Sequence, residues 1–394
     1  MLFRIIPYIC PRKTKKYKMK ILKHSQLAIL TGIFAFSLWS CSDDDDNGLQ
    51  GLTIPDNYVS VDYATNAATE DMVIDELGSL TADVNDAEAS APNAGISSID
   101  YPSTLASITE SNYKTLVEGW LPELVNAANS SEAFVNPGLG NTPDGTSEGG
   151  LLGTRLLDEY GLELEQMVEK GSFGAALYNH AITVVNNIKS GEEGFNNSDA
   201  IDRLVEIHGT EPSFDVTEVT AAAKYSKRRS DLAAQTGFFF DIKNNLITAK
   251  AAMDAGSNFN VERDNALDEY LLNWEKSNFA AVIFYCKSTV DQLNAAFQLA
   301  DGEQREIALG NAMHAYGEGV AFAHGFKRMP VKQITDAQID FILSELKAEE
   351  GQNPESYQFL NDTSLLQNLE DLIGYIQNIY NFSDAEVESF YVNN

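Results

Sequence analysis

His314 and Glu318 stand four residues apart in the run Gly310-Asn311-Ala312-Met313-His314-Ala315-Tyr316-Gly317-Glu318-Gly319. On a helix that spacing puts an imidazole and a carboxylate one turn apart on the same face. A neutral imidazole beside a carboxylate is half of a metal site, and hard oxygen with imidazole suits iron or another divalent cation. The same two groups could work as acid and base. They could also carry no chemistry, as a histidine bonded to a carboxylate where a buried polar group needs a partner.

Glu303 to Lys327 contains no proline, the next being Pro330, and is predicted to be one helix. Gly310, Ala312, Ala315, Gly317, Gly319, Ala321 and Ala323 leave it poor in bulk. Neighbours should therefore approach it closely and bury both groups. A mononuclear site would need ligands from other helices, and Glu165, Glu275 and His180 are the candidates. His324 falls about 80° from His314 at about 100° per helical residue, off the shared face. His208, before Gly209, reads as a partner of a helix C-terminal dipole. A His-Glu-x-x-His zinc-peptidase pair is absent from the sequence.

The remaining pattern is all-α, a single multi-helix bundle domain with long N-terminal connections. Helical spacing runs from Thr69 to about Leu80, from Asn112 to Ala128, and from Leu151 to Lys170, where Gly171 should stop the helix. Ser172 should cap a following helix, Phe173 to Lys189. Further stretches are Asp199–Gly209, Val216–Gln235, Phe239–Ala255 and Val261–Leu299. The last of these carries a stripe of Leu267, Leu271, Trp274, Asn278, Val282 and Tyr285, in which Asn278 must find a hydrogen-bond partner. Asp336–Lys347, Ser364–Ile379 and Asp384–Tyr391 complete the bundle. Asn136 to Gly150 is the longest loop, with five glycines and two prolines. It lacks the Lys-Ser/Thr ending of a phosphate-binding loop.

The net charge is −31, which repels nucleic acid and anionic membrane surfaces. Residues 1–40 hold eight Lys/Arg and no acid, so the chain beyond them is more acidic still. The basic cluster Lys227-Arg228-Arg229 reads as a solvated face pairing with acids. Residues 27–39 are a thirteen-residue, mostly apolar run behind a Lys-rich start. That is the pattern of a signal peptide occupying residues 1–40, with Met19 as an alternative start, and too short for an ordinary membrane span.

Leu38-Trp39-Ser40-Cys41 resembles a bacterial lipobox, which implies diacylglycerol on the Cys41 thiol and a membrane anchor of several acyl chains. Ser42, Asp43, Asp44 and Asp45, followed by Asp46, open an acidic tether over residues 41–60. They resemble the signal that sends lipoproteins of Bacteroidota-type bacteria to the outer face of the outer membrane, with the periplasmic face as the alternative. Cys10 lies in the leader, so Cys286 is alone in the mature chain and reads as a core residue. No intramolecular disulfide or cysteine-based zinc cluster is then available.

Three segments in register extend the comparison. Glu165-Gln166-Met167-Val168-Glu169-Lys170-Gly171-Ser172-Phe173-Gly174-Ala175, Trp274-Glu275, and His314-Ala315-Tyr316-Gly317-Glu318-Gly319 resemble the motifs of a bacterial lipoprotein family of uncharacterised function that is distantly imelysin-like. The resemblance spans residues 61–394. It implies a helical, envelope-located protein linked to iron regulation or uptake, and in one case to peptidase activity. The imelysin hallmark Gly-x-His-x-x-Glu is altered to Gly310-x-x-x-His314-x-x-x-Glu318, and Asn273 stands where a more typical member shows His. The reading favoured here is a surface lipoprotein that binds a ligand or metal without catalysis. The alternatives are an adhesion or assembly module beside an outer-membrane transporter, and a metal-dependent envelope hydrolase.

Overall fold

The computed structural model describes residues 51–137 and 149–394. The leader, Cys41, the Ser42–Asp46 tether and most of the Gly-rich 136–150 loop lie outside the described residues. Residues Gly51–Asn394 form one compact unit.

The chain enters through α1 (Tyr63–Asn66) and α2 (Ala68–Ser90), then α3 (Ser103–Ile108) and α4 (Ser111–Asn129). A short hairpin, β1 (Gly150–Leu152) with β2 (Arg155–Leu157), precedes α5 (Leu164–Ser172). One π-helical stretch, Phe173–Tyr178, joins α5 to α6 (Asn179–Ser190). Then come α7 (Ala200–His208), α8 (Ala221–Arg228), a second hairpin of β3 (Ser230–Asp231) and β4 (Thr236–Gly237), and α9 (Phe238–Ala255). The two central rods, α10 (Asn260–Phe297) and α11 (Glu303–Gly325), pack along one another. Around them close α12 (Asp336–Glu345), α13 (Leu366–Tyr380) and α14 (Asp384–Phe390). The all-α expectation holds, since the only sheets among the described residues are these two hairpins. No described helix is long and apolar enough to cross a membrane.

The expected stripe on α10 is buried from Leu267 to Tyr285, and Asn278 Nδ2 donates to the Phe322 carbonyl on α11 at 2.9 Å. Cys286 is buried, as a core residue should be.

Three expectations fail, each for a physical reason. Leu151–Lys170 is not one helix. Gly153 turns the chain at φ 61°, and Leu151 and Leu156 pair across a hairpin instead. Gly171-Ser172 does not end a helix either. Ser172 stays right-handed and its Oγ donates to the Val168 carbonyl at 2.6 Å, rather than capping a new helix. Gly171 is needed for packing, because a Cβ there would lie 1.5 Å from the Tyr113 hydroxyl. Finally, Val216–Gln235 is helical only over α8, since the Asp231 carboxylate accepts from the Ala233 and Ala234 amides and turns the chain into a hairpin.

The small residues of α11 work as expected. A Cβ at Gly310 would meet the Leu152 carbonyl oxygen at 2.2 Å, and one at Gly325 would meet that of Gly171 at 2.3 Å. The β1–β2 hairpin and α5 thus lie directly against α11, where α5 brings Gln166 to His314 and the hairpin brings Arg155 to Asn311.

Candidate functional site: a carboxylate and imidazole cluster between α5 and α11

Glu163, the residue before α5, points a fully buried carboxylate at His314, whose Nδ1 is 2.8 Å from Oε2 and 3.1 Å from Oε1. Gln166 Nε2 is 3.2 Å from the same Nδ1 and also contacts Glu165 Oε2. Glu318 Oε2 is 3.9 Å from the other ring nitrogen, Nε2. On its far side Glu318 Oε1 accepts from the Tyr225 hydroxyl at 3.4 Å and lies 3.8 Å from Lys170 Nζ. Lys170 also pairs with Glu169. One donor atom each from Glu163, Glu165 and His314 falls within 4.8 Å of the others.

Glu163 owes its place to the hairpin. Arg155 on β2 approaches Glu163 Oε1 at 3.8 Å and Glu88 Oε1 at 3.3 Å, while Glu88 Oε2 accepts from the Leu156 amide at 3.0 Å. Gly317 faces this segment, and a Cβ there would meet the Glu163 Cβ and Gln166 Cγ at 3.4 and 3.5 Å, in ordinary contact.

The electrostatics are strained toward positive charge. Burial, then the Glu88 carboxylate beside it, pushes Glu163 well above the usual carboxylate range, with Arg155 acting against both. Burial also pushes Glu165 up, against the pull of Lys170 and with the further push of Glu163 and Glu169. Burial would lift Glu169 too, but Lys170 overcomes it and leaves that carboxyl low. Burial alone would discharge Lys170, yet Glu169, Glu318 and Glu165 hold it up to about 12, so it remains an ammonium. Burial lowers His314 despite Glu318, keeping the imidazole neutral and able to offer a lone pair. Gln166 Oε1, on a residue 1% exposed, has no hydrogen-bond partner.

No protein-family model, curated protein or solved structure matches this chain. The residues themselves must carry the reading.

The sequence candidates separate into two groups. Glu165 joins His314, together with Glu163. His180 does not: beyond the π-helical stretch it faces α2, with Nε2 2.7 Å from Glu70 Oε1, and Glu70 also takes Arg203 NH2 at 2.8 Å. Glu275 is also elsewhere, accepting from the Gln333 amide at 2.7 Å, the Ile334 amide at 2.8 Å and the Tyr380 hydroxyl at 2.7 Å. It pins the loop that leads into α12. His208 stands in the last turn of α7 as expected, but not as a cation paired with the helix dipole. Fully buried, it stacks edge-on to Trp274 at 4.8 Å, shares a 3.0 Å contact with the Ser226 Oγ, and burial takes its pKa down to about 3. Arg229 is not a solvated cation either, because its guanidinium is buried against the Phe390 and Val392 carbonyls and the Asn393 side chain.

Glu163, Gln166 and Lys170 are the residues that sequence reasoning missed. Gln166 and Lys170 lay inside a segment already singled out. Glu163 had no signal beyond being an acid two residues before Glu165.

Proposed function

We propose that Glu163, Glu165 and His314 bind a divalent cation, and that the protein is a non-enzymatic, lipid-anchored cation-binding protein of the outer membrane, serving iron-related uptake. The observation that carries this is the convergence of two carboxyls, both pushed up by burial, on a neutral imidazole. Buried carboxylates that repel one another are relieved by a bound cation, and binding one expels their protons. The donor set, two hard oxygens and one imidazole, suits iron, manganese or zinc. Gln166 Oε1 adds a buried oxygen without a partner. Separations of up to 4.8 Å have to shrink by about 1 Å for ligands at about 2.0–2.2 Å from one ion.

Glu318 has a different part in this reading from the one its spacing suggested. It faces the ring nitrogen opposite Glu163, and a ligating histidine is commonly oriented by a carboxylate on its other N–H. Lys170, held charged beside Glu318 and Glu169, balances the acids when no ion is bound.

A binding role is preferred to hydrolysis because access is narrow. The Glu163 side chain is 0% exposed, that of Glu318 10% and that of His314 26%. A single ion can pass such a gap by side-chain rotation, whereas a peptide bond would have to enter it. The lipobox-like run ending at Cys41 and the Ser42-plus-acidic run Asp43, Asp44 and Asp45 support the surface address, and the three motifs in register support the imelysin-like assignment.

Elemental analysis of tag-free protein reconstituted with ferrous iron, manganese or zinc tests the site. One ion per chain is expected, lost in Glu163→Ala and His314→Ala but kept in His180→Ala. No retained ion, together with an unchanged melting temperature on metal addition, defeats the proposal. Incorporation of labelled palmitate that disappears in Cys41→Ser tests the anchor, and its persistence in that variant refutes lipidation at Cys41.

A further inference from the structure

A separate cavity of about 160 Å³ opens between α4, the segment from β2 to α5, the last turn of α11 and the loop after α12. Its size is close to that of an engineered apolar cavity of about 150 Å³ that admits benzene. Unlike such a cavity, its wall is divided. Leu116, Leu162, Met167 and Val320 supply aliphatic surface, Trp120 and Tyr160 supply aromatic rings, and Glu123, Asp158, Glu349 and Glu350 supply carboxylates. Among the described residues no lysine or arginine lines it.

His324 is the decisive residue. It lines the cavity, is 4% exposed, and neither ring nitrogen makes a hydrogen bond. Its nearest acid, Glu350, has an oxygen 3.5 Å from Nε2. Edge-on contacts with Tyr113 at 5.4 Å and Trp120 at 6.0 Å fix the ring in place. Nε2 thus has the Glu350 carboxylate as an ion-pair partner, but Nδ1 has none among the described residues, and a buried ring nitrogen without a partner is expensive unless something else satisfies it.

The charges select among ligands. Glu350 is already paired with His324 at 3.5 Å, Lys327 at 2.8 Å and Arg328 at 2.7 Å, which together hold its carboxyl well below the usual range. Asp158 and Glu123 have no such cation among the described residues: burial pushes Asp158 up to about 7 against the Leu162 and Tyr160 amides that donate to it, Glu123 and Glu159 adding to the rise, and burial then Glu159 raises Glu123. An anion would be repelled, and a neutral apolar guest would offer nothing to the unpaired His324 ring nitrogen. A bare metal ion would make no use of the aliphatic wall. A cation over an aromatic face is attracted by the ring quadrupole.

We propose that this cavity is a binding site for a small organic ammonium ion, its charged end among Glu123, Asp158 and His324 and its stem against Trp120 and the aliphatic wall. The site shares no residue with the cation cluster at His314, so either can fail alone.

Isothermal titration with benzylammonium, benzyl alcohol and benzoate tests this. Saturable binding of one benzylammonium per chain is expected, with the alcohol at least tenfold weaker and benzoate undetectable. Glu123→Gln and His324→Phe should each weaken benzylammonium fivefold or more, while His314→Ala leaves it unchanged. Absence of saturable benzylammonium binding to the folded, unaltered protein overturns the proposal, as does equal affinity for the alcohol. Because those two arms use the unaltered chain, they hold even if His324→Phe fails to fold.

Discussion

His314 Nδ1 lies 2.8 Å from Glu163 Oε2 across 151 residues of sequence, while Glu318, one helical turn along, is 3.9 Å from the opposite ring nitrogen. One imidazole is thus bracketed by two carboxylates of unequal standing. Glu318 has an ammonium and a phenol to answer its charge. Glu163 has Arg155 at 3.8 Å, which burial and the Glu88 carboxylate outweigh.

That inequality yields a stability and binding trade-off. Glu163→Gln removes a buried carboxyl that is costly to ionise, so the ion-free variant should melt about 2 °C or more above the parent at pH 8. It should also lose the stabilisation that added ferrous iron gives the parent. Because His314 is held neutral, the protons released on metal binding come from the carboxyls, and affinity should rise between pH 5 and pH 8. Differential scanning calorimetry with and without metal checks both points, and a less stable ion-free variant would contradict the first.

Acid stability separates two buried groups of opposite sign. His208 is depressed from 6.5 to about 3, so its contribution is intact above pH 6.5 and is lost as pH falls toward 3, at about 1.4 kcal/mol per pH unit. Asp158 is raised from 3.8 to about 7, so its contribution is intact below 3.8 and is lost as pH rises through 7. Urea unfolding from pH 4 to pH 8 should show the deficit of His208→Asn shrinking on acidification. Asp158→Asn should compare best with the parent at pH 8. Parallel profiles for parent and variants would rule out both assignments.

Packing at the foot of α11 depends on two facing glycines. Gly325→Ala drives a methyl to 2.3 Å from the Gly171 carbonyl oxygen and should cost about 1–3 kcal/mol. Gly374, on α13, meets nothing within 4 Å, so Gly374→Ala should stabilise by about 1 kcal/mol through helix propensity. Chemical denaturation midpoints moving in opposite directions are the expected signature.

The entry of the chain into the domain is tied to one buried acid. Tyr58 donates to Asp202 at 2.6 Å, Ser60 at 2.5 Å and Asn66 at 2.8 Å, and Lys250 stands 3.8 Å away. Asp202→Ala leaves three donors without their acceptor, while Lys250 keeps the Ser198 carbonyl at 3.0 Å, and should cost about 2–3 kcal/mol. Limited proteolysis should then cut within residues 51–67 before elsewhere. An unchanged digestion pattern would show that the segment is held by something other than Asp202.

Periodicity and composition determined the helical class, because an apolar stripe such as Leu267 to Tyr285 is written into one stretch of chain and needs no partner to be read. The same holds for the His314–Glu318 spacing and for the small residues that let α5 and the β1–β2 hairpin close on α11. What the pattern could not supply was the purpose of a glycine. Gly171 looks the same whether it stops a helix or admits the Tyr113 hydroxyl, and only the neighbour decides. Nor could local spacing tell that Glu163 reaches His314 while His180 and Glu275 turn to Glu70 and Tyr380. Those pairings depend on which faces of separate helices meet, and tertiary packing alone sets that.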